Sequence, residues 1–105
     1  MKIAIIGSTQ YRYNRMQWAK NALEEAGHEA RLPTFDGGAK NELELMQQNL
    51  ELIKWADAIH VFWDGRSIGT LMDIAMAFAL DKPIELIHLE PMSVRGFVEQ
   101  YAGKG

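Results

Sequence analysis

The sequence predicts a single α/β domain: a three-layer Rossmann-like or flavodoxin-like sandwich with a parallel four-stranded sheet in the order 2-1-3-4. Short apolar runs alternate along the chain with segments of helical periodicity. Strands that alternate with helices form parallel sheets through right-handed crossovers. The length of 105 residues is that of one domain, and 48% of the residues are apolar, which suffices for a hydrophobic core.

The first half of the chain predicts two strands and the helix between them. Residues 2–6 form a continuous apolar run that ends at Gly7-Ser8, as expected of a strand buried on both faces. Residues 13–26 carry apolar side chains at helical spacing and are followed by Gly27, a typical helix C-cap. Residues 28–32 predict a weaker strand, which Pro33 ends.

The second half predicts two further strands and two helices. Asp36-Gly37-Gly38 marks a loop, and the next helix is expected over 40–55. A strand over 58–63, an apolar helix from 68 to 80 and a strand over 84–89 follow. Residues 92–105 are interpreted as a C-terminal extension with a short helix over 93–101. The whole chain, residues 1–105, is therefore expected to be one domain.

Composition excludes several classes of function. The formal net charge is −3 and no basic block is present, so nucleic-acid binding is not expected. The absence of cysteine excludes disulfides, thiolate metal sites and a cysteine nucleophile, and it suits the cytoplasm. The first apolar run is too short for a signal peptide or a membrane span. His28, His60 and His88 have no partner ligands at i,i+2, so no metal is predicted.

The apolar helix over 68–80 contains one ionisable residue, Asp73. A carboxylate inside a buried helix costs stability unless it has a partner, and such groups are candidates for function. An alternative is helix capping, because Thr70-Leu71-Met72-Asp73 fits the pattern in which an acidic residue reaches back to the N-cap amide. An acidic residue in a first helical turn also suits the helix dipole. The sequence leaves both interpretations open.

The predicted topology brings two unusual loops together. In such sheets, ligands bind outside the carboxyl ends of the strands where the strand order reverses, which here is between strands 1 and 3. The loop after Gly7 and the loop from Asp64 to Thr70 meet there. The glycines of these loops allow a ligand to approach the backbone closely. Their hydroxyl and N–H groups suit a ribose or a phosphate. Two nearby tyrosines could stack on a base. The candidate binding residues are Gly7, Ser8, Thr9, Tyr11, Tyr13, Gly65, Ser67, Gly69 and Thr70. The alternative for each of them is ordinary turn formation, capping or exposure on a first helical turn.

Four motifs carry a resemblance to a known family. They are Ile5-Ile6-Gly7-Ser8, Ala26-Gly27-His28 with Pro33, Ala56-Asp57-Ala58-Ile59, and the long stretch from Asp64 to Lys82-Pro83. With these motifs, over most of residues 2–89, the chain resembles the nucleoside 2-deoxyribosyltransferase-like superfamily, which includes the deoxynucleotide N-glycosidases. The last motif is the specific one. It is also similar to that of related nucleotide-sensing Rossmann-like domains.

The resemblance implies a reaction and a set of roles. In the transferases the glutamate of the last motif is the nucleophile that attacks the anomeric carbon, and Asp73 matches it with a side chain one methylene shorter. Ala75 replaces the glycine that follows in the family. Asp64 would bind a sugar hydroxyl or assist protonation of the leaving base, and the two loops would hold the ribose and any 5′-phosphate. No cofactor is implied.

The expected function is therefore cleavage or transfer of the base of a (deoxy)nucleoside or its 5′-monophosphate. The alternative is a nucleotide-binding module without chemistry that uses the same crevice. A flavodoxin-like cofactor binder is a third possibility, although the Gly7 loop is short for it. The helix over 68–80 is apolar on nearly all sides, which, together with the frequent dimers of the family, predicts a homodimer. Trp18, Trp55 and Trp63 are expected in the core or at a subunit interface.

Overall fold

The order of strands and helices agrees with the sequence prediction. A computed structural model of the chain describes residues 1–33, 41–89 and 101–103. Its elements are β1 (Lys2–Gly7), α1 (Arg15–Glu25), β2 (Glu29–Arg31), α2 (Glu42–Trp55), β3 (Ala58–Trp63), α3 (Ile68–Ala79) and β4 (Ile84–Leu89), with a 3-10 turn at Thr9–Tyr11. The predicted loop at 36–38, and the predicted helix over 93–101 except its last residue, lie outside the described residues.

The strands form one parallel sheet in the order β2-β1-β3-β4, which confirms the predicted topology. Ile3 of β1 lies opposite Ala30 on one side and opposite Ala58 on the other. β4 pairs with the outer side of β3, with an irregularity in register between Val61 and Phe62. β1 and β3 are therefore central, and the crevice at the reversal of strand order lies beyond their carboxyl ends.

Alternate residues of β1 enter two different cores, because successive side chains of a strand point to opposite faces. The core beneath α1 comprises Ile3, Ile5, Tyr11, Met16, Ala30 and Phe62. The core between the sheet and the pair α2 and α3 comprises Ala4, Ile6, Ile53, Ala56, Ile59, Val61 and Ala77. One helix on one face and two on the other complete the predicted three-layer sandwich.

The connection from β1 to α1 differs from the prediction. The helix expected over 13–26 begins at Arg15, because Asn14 is its N-cap and accepts a hydrogen bond from the Arg15 N–H. The turn before it is a 3-10 turn whose Tyr11 is buried, not exposed on a first helical turn. At the other end Gly27 has a φ of 94°, which confirms the predicted glycine termination of the helix.

Two regions of the surface each expose several large apolar side chains. Those on α3 are Ile68, Leu71, Met72 and Phe78, and those on the edge strand β4 are Ile84, Leu86, Ile87 and Leu89. Trp18 on α1 is 76% exposed and therefore lies outside the core, while Trp55 and Trp63 pack partly buried against the core beneath α2 and α3. Within the described ranges, no helix has the length and apolar character needed to cross a membrane.

Candidate functional site

The loops after β1 and β3 meet, as the topology predicts. The backbone N–H of Ser8 donates to the carbonyl of Phe62 at 2.9 Å, and the N–H of Asp64 donates to Ser8 Oγ at 3.2 Å. Gly7 allows this approach, because a Cβ there would lie 2.3 Å from the Phe62 carbonyl oxygen. Gly7 is thus required by the packing of two strands, and Ser8 joins the loops.

Asp64 organises the loop that follows it. Its Oδ1 accepts hydrogen bonds from the N–H groups of Arg66 at 2.9 Å and Ser67 at 2.7 Å. Gly65 between them has a φ of 77°, a left-handed conformation that glycine adopts without strain. Burial raises the pKa of Asp64, but the two backbone hydrogen bonds, a bond with Ser8 and the charge of Arg66 outweigh it and lower the pKa below its ordinary value. Asp64 therefore stays ionised at neutral pH.

The first turn of α3 is capped by Ser67. Its Oγ accepts hydrogen bonds from Thr70 N at 3.4 Å and from Thr70 Oγ1 at 3.3 Å, while its carbonyl accepts one from Trp63 Nε1 at 3.1 Å. Gly69 is exposed, and a Cβ at this position would meet no atom within 4 Å. Packing within the chain therefore does not require glycine there.

The capping-box interpretation of Asp73 is wrong. Because Ser67 is the N-cap, Thr70 is the third residue of the helix and Asp73 lies in its second turn. The side chain of Asp73 does not reach back along its own helix. Its Oδ1 instead accepts a hydrogen bond from Asn49 Nδ2 of α2 at 3.3 Å.

Asp73 is a buried carboxyl group in the interface between α2 and α3. It is 6% exposed and shares the core-facing stripe of α3 with Thr70 and Ala77. Burial raises its pKa to about 6, although the hydrogen bond from Asn49 opposes this shift. At neutral pH the group is ionised at an energetic cost, which is typical of carboxyls that have a function.

The two candidate tyrosines are not brought together. The ring of Tyr11 is buried and makes an edge-to-face contact with His88, with ring centroids 5.1 Å apart. Tyr13 is 78% exposed, and its hydroxyl and ring contact the neighbouring Arg12. Thr9 is also exposed, at the start of the 3-10 turn. Tyr11 thus belongs to the core beneath α1, and the side chain of Tyr13 lies in solvent.

Asn49 is the residue that the sequence analysis missed. It lies between Met46 and Ile53 on α2, three residues after the first and four before the second, which places it on the buried side of that helix. The sequence does show that Asn49 is a polar residue at a position where helical spacing predicts an apolar one. Only the tertiary structure identifies Asp73 as its partner.

A cavity formed by described residues lies beside this pair rather than at the crevice. It has a volume of about 490 Å³ and is formed by the end of β2, the two residues after it, and α2. Its lining residues are Arg31, Leu32, Pro33, Glu44, Gln47, Gln48, Asn49, Glu51 and Leu52. None of the predicted site residues lines it, but Asn49 links it to Asp73.

Neither a search for metal ligands among the described residues nor comparison with known proteins adds a residue to the candidate site. In the described part of the chain, no group of three or more His, Asp or Glu side chains is arranged to hold a metal ion. No protein-family model matches the chain, and no curated protein matches it. The family resemblance of the motif from Asp64 to Pro83 therefore stays a prediction, and the candidate site is defined by its own contacts.

Proposed function

We propose that the protein breaks the N-glycosidic bond of a (deoxy)nucleoside or its 5′-monophosphate, by hydrolysis or base transfer, with Asp73 as the nucleophile. One observation carries the proposal: a carboxyl with a pKa raised to about 6 lies on the core-facing stripe of α3, where packing alone favours an apolar side chain. Capping, the other explanation of an acid at this position, does not apply. Asp73 also matches the position of the nucleophile in the family that the chain resembles.

The carboxyl group offers one oxygen for chemistry. Asn49 donates to Oδ1 and orients the group, whereas Oδ2 accepts no hydrogen bond from the described residues. Oδ2 forms a bond to the anomeric carbon C1′, the C1′–N bond breaks, and its electron pair leaves with the base, which takes up a proton from solvent. Water or a second base then attacks C1′, the C1′–Oδ2 bond breaks, and the carboxylate is regenerated while the attacking group loses a proton.

The loops have supporting roles in this proposal. Because its pKa is lowered, Asp64 is a poor proton donor to the leaving base. We therefore favour the other role that the resemblance implies, in which Oδ2 of Asp64 accepts a hydrogen bond from a sugar hydroxyl. The N–H groups at the start of α3 suit a 5′-phosphate, because helix N-termini attract anions. The remaining candidates for ribose and phosphate contacts are Gly7, Ser8, Thr9, Gly65, Ser67, Gly69 and Thr70.

A nucleotide-binding module without chemistry is the second candidate. It is favoured by the low exposure of Asp73 and by its bond to Asn49, since a structural contact between two helices has the same geometry. Under this alternative the crevice still binds a nucleotide. Asp73→Glu discriminates between the two, because it restores the side chain of the transferases: it should raise turnover if Asp73 is a nucleophile and have little effect otherwise.

The experiment is a base-release assay. Purified protein is incubated with nucleosides, deoxynucleosides and their 5′-monophosphates, and the freed base is followed by chromatography. Asp73→Asn is expected to abolish release, whereas Asp81→Asn, an exposed aspartate directly beyond α3, is expected to retain it. If Asp73→Asn releases base as fast as the wild type does, Asp73 is not the nucleophile. No release from any substrate, with a nucleotide still raising the melting temperature, would favour the binding module.

A further inference from the structure

We propose that Arg15 and His88 together form a binding site for a phosphate-type anion on the α1 side of the crevice. The two residues are 73 positions apart in the chain. Arg15 is the first residue of α1, and His88 is the last residue but one of β4, so the fold brings them together at the carboxyl edge of the sheet. This inference does not rest on the proposed function, because it concerns binding of the anion alone.

The guanidinium group of Arg15 is held in place by two rings. Its Nη1 lies 2.8 Å from Nδ1 and 3.1 Å from Nε2 of His88, and its Cζ lies 5.9 Å from the centre of the Tyr11 ring. Tyr11 is buried and makes its own edge-to-face contact with His88. Arg15 is nevertheless exposed. A positive charge that is both fixed in position and accessible to solvent is suited to a ligand.

The free donors of Arg15 favour an anion. No carboxylate of the described residues forms an ion pair with Arg15, and in the same part of the chain its Nε and Nη2 donate to no acceptor. His88 supplies no negative charge, because a ring that accepts a hydrogen bond from arginine is a neutral imidazole. A guanidinium presents its N–H groups as a planar fork that matches the oxygens of a phosphate. The open side of Arg15 therefore fits a tetrahedral anion.

The site lies next to the crevice. His88 is paired with Phe62, which is paired on its other side with Gly7. Neighbouring strands are about 4.8 Å apart, so the backbones of His88 and Gly7 are separated by about 10 Å. This site differs from the start of α3, which suits a 5′-phosphate, because α1 and α3 pack on opposite faces of the sheet. The anion is either free in solution or the phosphate of a nucleotide bound at the loop after Gly7.

Binding of the anion should be accompanied by proton uptake at His88. A protonated imidazole cannot accept a hydrogen bond from Arg15, and two cations 2.8 Å apart repel each other. An anion that bonds to both removes this repulsion. Among the described residues, Tyr11 also faces His88, and the next charged groups on this face are His60 and Glu85, which pair with each other at 3.4 Å. Since imidazole groups titrate between about pH 5 and 8, the anion should bind more tightly in mild acid.

The first experiment is a titration of the whole chain with sodium sulfate at constant ionic strength, followed by NMR chemical shifts. Sulfate is the probe because its charge does not change in this pH range. We expect saturable binding, which Arg15→Gln weakens about 10- to 100-fold through loss of charge-assisted hydrogen bonds. The matched control is Arg31→Gln, which removes an equal charge from the opposite edge strand, where Arg31 lies 4.2 Å from the Trp55 ring, and should bind as the wild type does. Sulfate that does not saturate, or an equal loss in both variants, would overturn the proposal.

The same titration at two pH values tests the part played by His88. The wild type should bind sulfate about tenfold more tightly near pH 5.5 than near pH 7.5, since the protonated ring adds one charge-assisted hydrogen bond. His88→Gln keeps a side chain that can bond to Arg15 but does not titrate, and it should show no such change. An equal pH dependence in the wild type and His88→Gln would contradict a site made of both residues.

Competition identifies the source of the anion. If the site takes the phosphate of a nucleotide, sulfate should compete with a nucleoside 5′-monophosphate but not with the nucleoside, and Arg15→Gln should weaken only the monophosphate. If the site takes a free anion, sulfate and the monophosphate should bind independently. Competition that is as strong in Arg15→Gln as in the wild type would mean that sulfate binds elsewhere, and it would overturn the proposal.

Discussion

Asp73→Asn should stabilise the fold at neutral pH while it removes the proposed activity. The carboxylate of Asp73 is buried with one hydrogen-bond donor, Asn49, and burial raises its pKa to about 6. An asparagine at this position keeps the hydrogen bond, because its carbonyl oxygen accepts from the Asn49 amide as Oδ1 does. It carries no charge, so the cost of ionisation within the interface disappears.

The magnitude follows from the two pKa values of Asp73. Asp73 has its ordinary pKa of 3.8 in the unfolded chain and a pKa of about 6 in the native protein. Between these values the native state holds a proton that the unfolded state has lost, so the free energy of unfolding falls as the pH rises. The contribution of neutral Asp73 is complete below pH 3.8 and lost above pH 6, a change of about 3 kcal/mol.

Urea unfolding of the wild type, Asp73→Asn and Asp81→Asn between pH 4 and pH 8 measures this contribution. The stability difference between Asp73→Asn and the wild type should be small near pH 4 and should approach about 3 kcal/mol at pH 7. In a domain of this size that corresponds to roughly 10–20 °C in melting temperature. Asp81→Asn substitutes an exposed aspartate whose φ is 58°, a conformation that asparagine also adopts, and should show no such trend.

Two results would refute the reasoning. If Asp73→Asn were less stable than the wild type at pH 7, the ionised carboxylate would have a compensating partner. If the difference were constant from pH 4 to pH 7, Asp73 would not titrate in that range. A more stable Asp73→Asn that also kept full base release would locate the chemistry elsewhere and leave Asp73 as a contact between helices.

Substitutions at three further positions test the crevice through urea unfolding. Gly7→Ala should lower stability by about 1–3 kcal/mol, because the new methyl group would overlap the Phe62 carbonyl; an unchanged stability would mean that the strands can separate without cost. Ser67→Ala should cost about 1 kcal/mol through loss of the N-cap of α3, and Ser67→Asp, which can also cap, should not. Asp64→Ala should cost about 1–3 kcal/mol at pH 7 by leaving two loop N–H groups without their acceptor. Since the pKa of Asp64 is lowered in the native state, this difference should shrink as the pH falls below 4; a difference that grows in acid would contradict the role of the carboxylate.

The sequence predicts the strands better than the helix starts. The bounds of β3 and β4 agree with the predicted 58–63 and 84–89, because both are mainly apolar segments between polar or proline residues. The start of α1 was displaced by two residues, since Asn14 caps the helix and a 3-10 turn precedes it. Such local hydrogen bonds leave no trace in apolar periodicity.

The meeting of the two loops was also predictable, because it follows from strand order alone. The hydrogen bonds that α3 makes were not predictable from the sequence. Ser67 and Thr70 both carry a hydroxyl suited to capping, and the pattern around Thr70 fitted better, yet Ser67 is the N-cap. The bond between Asn49 and Asp73 joins residues 24 positions apart, on two helices. Only the packing of α2 against α3 brings them together.

The composition of α3 reflects two demands that its own sheet does not make. Packing on the sheet needs an apolar stripe on one side only, yet the outer side is apolar as well, and the inner side contains Asp73. Each feature lowers the stability or solubility of an isolated monomer, the first by exposing apolar surface and the second by burying a charge. The same helix therefore carries both features, and neither of them follows from packing against the sheet.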